Sequence, residues 1–202
     1  MENHTVITLS REYCTGGRQI AQAVADKLGI PCYDKELITI AAKQSGLSEA
    51  AIAASEKRRT GSLLYSLYSM GGDLPLADQV YILQSNIIKK LAQEGPCVIL
   101  GRCGDYVLRD RPYTLKVFVH GDLDSRHEFA KTWGPTMNLD ERGVDIMLEK
   151  EDRRRAGYYN YYTENRWGDV HNYDLVLNSR LGLDACADLV LQAYNHMEAL
   201  KK

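Results

Sequence analysis

Between Ser10 and Gln19 the chain reads Ser-Arg-Glu-Tyr-Cys-Thr-Gly-Gly-Arg-Gln. Two adjacent glycines, small neighbours and a cation are what a phosphate needs. The backbone N–H groups can converge, no bulky side chain blocks the approach, and a positive charge stands beside them. The β-branched run Thr5-Val6-Ile7-Thr8-Leu9 before this stretch, and the apolar spacing Ile20, Val24, Leu28 after it, predict strand, loop and helix. That order adds the positive end of a helix dipole at the same point. Tyr13, Cys14, Thr15, Gly16, Gly17, Arg18 and Gln19 are therefore candidates to hold the phosphates of a nucleotide or another phosphorylated molecule. Laid over the pattern GxxxxGK[ST], Gly17 takes the second glycine and Arg18 the lysine, while Glu12 stands at the first glycine and Gln19 at the hydroxyl residue. Arginine keeps the lysine's charge but replaces a compact ammonium with a planar fork. Taken alone, the stretch suits a phosphate cradle and an ordinary glycine turn equally well.

Further charges fall where such a site can use them. Lys35 and Arg102 stand just past two more predicted strands, Ile30–Tyr33 and Pro96–Leu100, and Arg11 closes the first. Arg126 lies early in the helix predicted after Thr114–Val119, and Arg153, Arg154 and Arg155 belong to a long helical stretch. Asp152 and Arg155 are three apart and share a helix face. Many cations with few candidate nucleophiles suit phosphoryl transfer, which works by positioning and charge stabilisation. Each arginine considered singly is more simply a solvated surface residue. The spacing of Tyr158, Tyr159, Tyr161 and Tyr162 favours a packing stripe over a platform for a base, and His120 reads as a turn residue.

The intervening pattern predicts how these residues are held. Gly29 closes the first helix, and Asp34 is placed to cap a second that runs through Leu37 and Ala41 to Ser45-Gly46. A short Ala-rich helix starts near Ser48. Lys57–Pro75 reads as an irregular or mobile helical excursion. A long amphipathic helix runs from Leu76 to Glu94-Gly95, helix resumes from about Leu123 and again from about Leu139, and strand Leu175–Leu177 precedes helix Asp184–Leu200. Strands alternating with helices argue for an α/β fold of three layers, a parallel sheet of about five strands covered on both faces. Ligands in such folds bind beyond the carboxyl ends of the strands.

At 202 residues the chain suits one α/β domain. Its formal net charge of −2 gives no general electrostatic case for nucleic acid or an anionic membrane. No charged-then-apolar leader and no apolar run near the roughly 18 residues of a membrane span is present, so a soluble, cytosolic protein is expected. Five cysteines form no CxxC pair and no Cys/His ligand spacing. Free thiols are expected, with no metal held by the side chains.

The set Thr8–Arg18, Leu28–Leu37, Ile99–Gly104, Trp167-Gly168-Asp169 and Tyr173-Asp174-Leu175, in that order over nearly the whole chain, resembles the cytidylate kinase-like family. That family is a branch of the P-loop nucleoside monophosphate kinases. The resemblance implies a P-loop kinase sheet, a mobile insert near 57–75 closing over a nucleoside monophosphate, and a lid-like helical region near 126–170 over ATP. It places Gly16, Gly17 and Arg18 in the loop that holds the ATP phosphates. Asp34, with Lys35 beside it, falls near the monophosphate. Arg102 matches an arginine that binds the acceptor phosphate, and Asp152 and Arg155 match an Asp-x-x-Arg pair that holds the monophosphate, with Asp152 orienting Arg155. Arg126 falls near the start of the lid, where it would neutralise developing charge. The implied activity, with Arg18, Arg126 and Arg155 as its catalytic cations, is transfer of the γ-phosphoryl group of ATP, carrying Mg²⁺, to a nucleoside monophosphate or related small acceptor. A protein of the same fold that binds a nucleotide or anion without turnover is the alternative.

Overall fold

Val6–Arg11 (β1), Cys32–Tyr33 (β2), Val98–Leu100 (β3), Thr114–His120 (β4) and Leu175–Asn178 (β5) pair into one parallel sheet in the order β2-β3-β1-β4-β5. They do so in a computed structural model that describes residues 4–55, 74–133 and 135–201. The excursion expected at Lys57–Pro75 lies outside the described residues except for its last two. The loop-bearing strand β1 is central, with Ile7 opposite Val98 and Leu9 opposite Leu100 on one side, and Val6 to Arg11 opposite Thr114 to Val119 on the other. The chain leaves β1 toward one edge and later returns to the other. The carboxyl ends of β1, β3 and β4 therefore frame the crevice where such sheets bind ligands.

Side chains alternate across each strand, so one strand supplies two cores. Ile7 and Leu9, with Val98, Leu100 and Val117, pack against Ile20 and Val24 of Gly17–Leu28 (α1) and against Val190 of the C-terminal helix. Val6, Cys97 and Ile99 face the other way. They meet Leu37 and Ala41 of Glu36–Ser45 (α2), Ile52 of Glu49–Ser55 (α3), and Val80 and Ile88 of Leu76–Glu94 (α4). Helices on both faces are what bury these strands on both sides, so that β3 is apolar throughout and β1 nearly so up to Leu9.

The remaining helices are Gly104–Val107 (α5), Leu123–Thr132 (α6), Glu141–Tyr162 (α7) and Leu183–Ala199 (α8). Their boundaries follow local chemistry. Gly29, left-handed at φ 66°, ends α1, with its N–H bonded back to the carbonyls of Ala25 and Asp26. The Asp122 and Asp140 carboxylates cap α6 and α7 by accepting from the N–H groups of Ser125 (2.9 Å) and Gly143 (2.8 Å). One expectation fails: Asp34 does not cap α2. Lys35 occupies the cap position with no side-chain capping bond, and the Asp34 carboxylate is drawn instead to two arginines, whose charge outbids an N–H dipole.

The five cysteines are free thiols. Among the described residues no helix is long and apolar enough to cross a membrane, and no group of His, Cys, Asp or Glu is placed to hold a metal ion.

Ile99 is wholly buried between β1 and β2 on the face covered by α2 and α4. Ile99→Ala leaves a cavity there and should cost about 3 kcal/mol. A shift of the urea unfolding midpoint at unchanged slope checks this.

Candidate functional site

After Arg11 the chain turns through Glu12 to Gly16, with Cys14 (φ 56°) and Gly16 (φ 68°) both left-handed. Alternating handedness turns successive N–H groups toward one side of the loop, as in an anion-binding nest. Gly16 is the N-cap of α1, so the helix dipole opens onto the same side. A side chain at Gly16 is disfavoured by that left-handed backbone, and its Cβ, 2.4 Å from Leu183 Cδ2, would also push the leucine aside. The Thr15 hydroxyl donates to the Glu12 carbonyl at 2.9 Å, closing the turn internally.

The loop forms one wall of a cleft of about 420 Å³ that all seven predicted loop residues, Tyr13 to Gln19, line together with Asp34, Lys35, Arg102 and Arg155. Residues as far apart in sequence as Tyr13 and Arg155 thus line one cleft, because the parallel sheet delivers its carboxyl ends to one edge. The Asp34 carboxylate bridges two cations, pairing with Arg18 through one oxygen and with Arg102 Nη1 at 3.5 Å through the other. Arg18, expected over the donor phosphates, therefore turns toward the β2 side of the cleft. Arg102 reaches Asp34 from a turn in which Gly101, Arg102 and Cys103 are all left-handed, at φ 75°, 51° and 54°. Two consecutive non-glycine residues in that region are strained, and strain of this kind gathers at functional sites.

Arg155 donates from Nη1 to the Arg11 carbonyl at 2.9 Å and lies 5.3 Å over the Tyr13 ring. Burial lowers its pKa, and the Asp152 charge works against that shift. Asp152 and Arg126 sit behind the loop and are absent from the cleft wall among the described residues. Asp152 accepts from the Tyr13 N–H at 2.7 Å and pairs with Arg126. Arg126 in turn donates from Nε to the Tyr13 carbonyl at 2.8 Å and stands 3.5 Å from Glu12 Oε2. Both peptide groups of Tyr13 are thereby held by α6 and α7. Asp152 bonds the loop and Arg126, where the resemblance had it orienting Arg155.

Two wall residues carried no signal in the sequence: Phe129 and Trp133 line the cleft, and a lone aromatic in a helix reads as core. Trp167, part of the resemblance, lines it too. The tyrosine stripe divides. Tyr158 and Tyr159 face the cleft, while Tyr162 stacks on Tyr81 with centroids 4.0 Å apart and donates to the buried Asp78 at 3.0 Å. Cys14 and Cys103 also line the cleft, and burial raises both thiols above their usual range, so neither is a thiolate at neutral pH. Asp105, the acid nearest to Arg102 in sequence, points away from the cleft. It is buried beneath the wall, accepts from the Tyr159 hydroxyl at 2.6 Å, and has one oxygen without a partner among the described residues.

A model of the cytidylate kinase-like family matches residues 6–181. The structure of an uncharacterized protein from Eubacterium ventriosum ATCC 27560 is similar, with TM-score 0.74, 25% identity, and coverage of 96% of this chain and 99% of that one. Shikimate kinase from Bacteroides thetaiotaomicron is similar at TM-score 0.52 and 12% identity over 95% of this chain and 98% of that one. A gluconokinase from Sinorhizobium meliloti 1021 is similar at TM-score 0.53 and 14% identity over 96% and 94%. At those identities the two kinases speak for the fold alone, and it is the P-loop kinase fold. Comparison with curated proteins gave no match.

Two outcomes are expected from this geometry. Arg126→Ala leaves Asp152 and Glu12 facing each other behind the loop and should destabilise the protein by about 2 to 3 kcal/mol in chemical denaturation. Burial holds the Asp105 carboxyl above its ordinary 3.8. The folded state therefore keeps that proton more tightly than the unfolded state, and the group's contribution to stability is lost as pH rises through the raised value. Asp105→Asn should melt higher than the parent at pH 7, with the difference shrinking toward pH 4 in thermal melts.

Proposed function

The chain belongs to the cytidylate kinase-like family, and on that premise we propose that it is an ATP-dependent phosphotransferase acting on a nucleoside monophosphate or a related small phosphorylated acceptor. The observation that carries this reading is the convergence, in one cleft, of the loop amides of Tyr13–Gln19 at the start of α1 with Arg18, Arg102 and Arg155. A phosphoryl group in transfer spreads charge over its oxygens, and preorganised N–H groups and guanidinium groups stabilise that charge.

In this reading the loop amides hold the donor phosphates. Arg102 and Arg155 hold the acceptor phosphate, with Lys35 and Asp34 at the same end. Arg18, exposed over two-fifths of its side chain and paired with Asp34, can exchange that carboxylate for a ligand oxygen. Arg126 and Asp152 act as positioning residues, fixing Tyr13 and so the loop's curvature. The helical region near 126–170 is the cover over the donor. Mg²⁺ arrives with ATP, since Gln19 stands where the hydroxyl ligand of the loop pattern would be, and it supplies neutralisation of the phosphate oxygens when bound.

A second reading, binding without turnover, is favoured by that same Gln19 and by the departure of Arg18 from the loop to Asp34. Incubation with Mg·ATP and each nucleoside monophosphate in turn, with shikimate and gluconate as further acceptors, separates the two when ADP release and nucleotide binding are followed in parallel. ADP release that depends on a monophosphate is the expected result. Binding without turnover on any acceptor overturns the kinase reading, and failure to bind overturns both. For the active pair, Arg102→Ala should raise the acceptor KM about tenfold or more, as loss of a charge-assisted contact does, with little change in the KM for ATP.

A further inference from the structure

Arg11 ends β1 with its main chain engaged on two sides. Its register partner is Val119 of β4, and its carbonyl accepts from Arg155. Its side chain leaves along a path that two glycines keep open. A Cβ on Gly17 would stand 2.8 Å from Arg11 Cβ and Cγ, and one on Gly101 would stand 2.5 Å from Arg11 Nη1. The stem therefore lies on the first residue of α1, and the guanidinium lies against the turn that follows β3, in the wall of the same cleft. Among the described residues no carboxylate is hydrogen-bonded to it. Asp34 is the acid that acts on it, and Asp34 is held by Arg18 and Arg102.

The helix begins at Gly17, which has no side chain, and the next residue, Arg18, is half-exposed and paired with Asp34 in the ligand-free protein. In the ligand-free protein the loop thus turns its own cation to Asp34, while the strand before it lays Arg11 along Gly17, at the start of α1, toward Gly101. We propose that Arg11 is the cation that receives the terminal phosphates of the bound triphosphate, filling from the strand the role that the GxxxxGK[ST] pattern gives to the lysine in the loop. This rests on the nucleotide-binding reading above. A guanidinium presents a fork that can engage two phosphate oxygens at once.

The electrostatics agree with the geometry. Burial first, and then the charge of Arg155, pulls the Arg11 guanidinium down to about 9, with Arg102 and Arg18 adding to the repulsion. It remains protonated at neutral pH, so the ligand-free fold carries a penalty that an entering polyanion removes. A purely structural arginine would stabilise the empty protein; this one should do the reverse.

The test titrates Mg·ATP and inorganic tripolyphosphate into the parent, Arg11→Gln, Gly101→Ala and the double variant by calorimetry, with ligand-free melting curves for each. Arg11→Gln should weaken both ligands about tenfold to a hundredfold, with a melting temperature unchanged or raised. Gly101→Ala, which displaces the guanidinium from the opposite side, should weaken both in the parent background and add nothing in the Arg11→Gln background. It also keeps the test open if Arg11→Gln fails to fold. Parent-like affinity in Arg11→Gln, or in Gly101→Ala where the glutamine variant does not fold, overturns the assignment of Arg11 alone. So does a lowered melting temperature in Arg11→Gln with both ligands still bound at parent affinity. A parent that binds neither ligand overturns this assignment together with the proposed function.

Discussion

Arg11, Arg18, Arg102 and Arg155 bring four like charges to one end of the sheet, and the Asp34 carboxylate pairs with two of them. Guanidinium groups this close repel one another more strongly as water is excluded. The fold must therefore hold them by other means, and it does so with backbone. Arg155 is tied to the Arg11 carbonyl, and Arg102 springs from three consecutive left-handed residues. The stem of Arg11 is laid along Gly17. A ligand with several negative oxygens meets a site whose repulsion has already been overcome by folding, which is the physical meaning of preorganisation.

The same region shows how the loop between β1 and α1 is kept in shape. Tyr13 offers its N–H to Asp152 and its carbonyl to Arg126, which come from α7 and α6. The loop's curvature thus depends on two helices that also carry cleft residues, Phe129 on α6 and Arg155 on α7. A displacement of either helix is felt at the loop amides through these bonds. The loop and the two helices behind it are one hydrogen-bonded unit.

Much of this was legible in the residue order. The β-branched run before the loop, Gly29 after a helical pattern, and the apolar stretch at Ile99 each have one comfortable conformation, so local rules located β1, the end of α1 and β3. Asp34 was misread because a carboxylate before a helical pattern satisfies the rule for a cap. The rule is blind to two arginines arriving from α1 and from the turn after β3. Trp133 and Phe129 give no sign for a related reason, since nothing about a single aromatic says which side of it will be empty.

By itself the sequence determined the alternation of strands and helices, the glycine loop between β1 and α1, and the supply of cations just past the strands, since these follow from propensity, periodicity and backbone freedom within a few residues. Only the tertiary structure decided which cation serves which partner. Arg18 went to Asp34, Arg126 went behind the loop to Asp152, and Arg11 went across Gly17 toward Gly101. Those choices are settled by distances between strand ends and by competition among charges, and neither exists until the parallel sheet has brought its carboxyl ends to one edge.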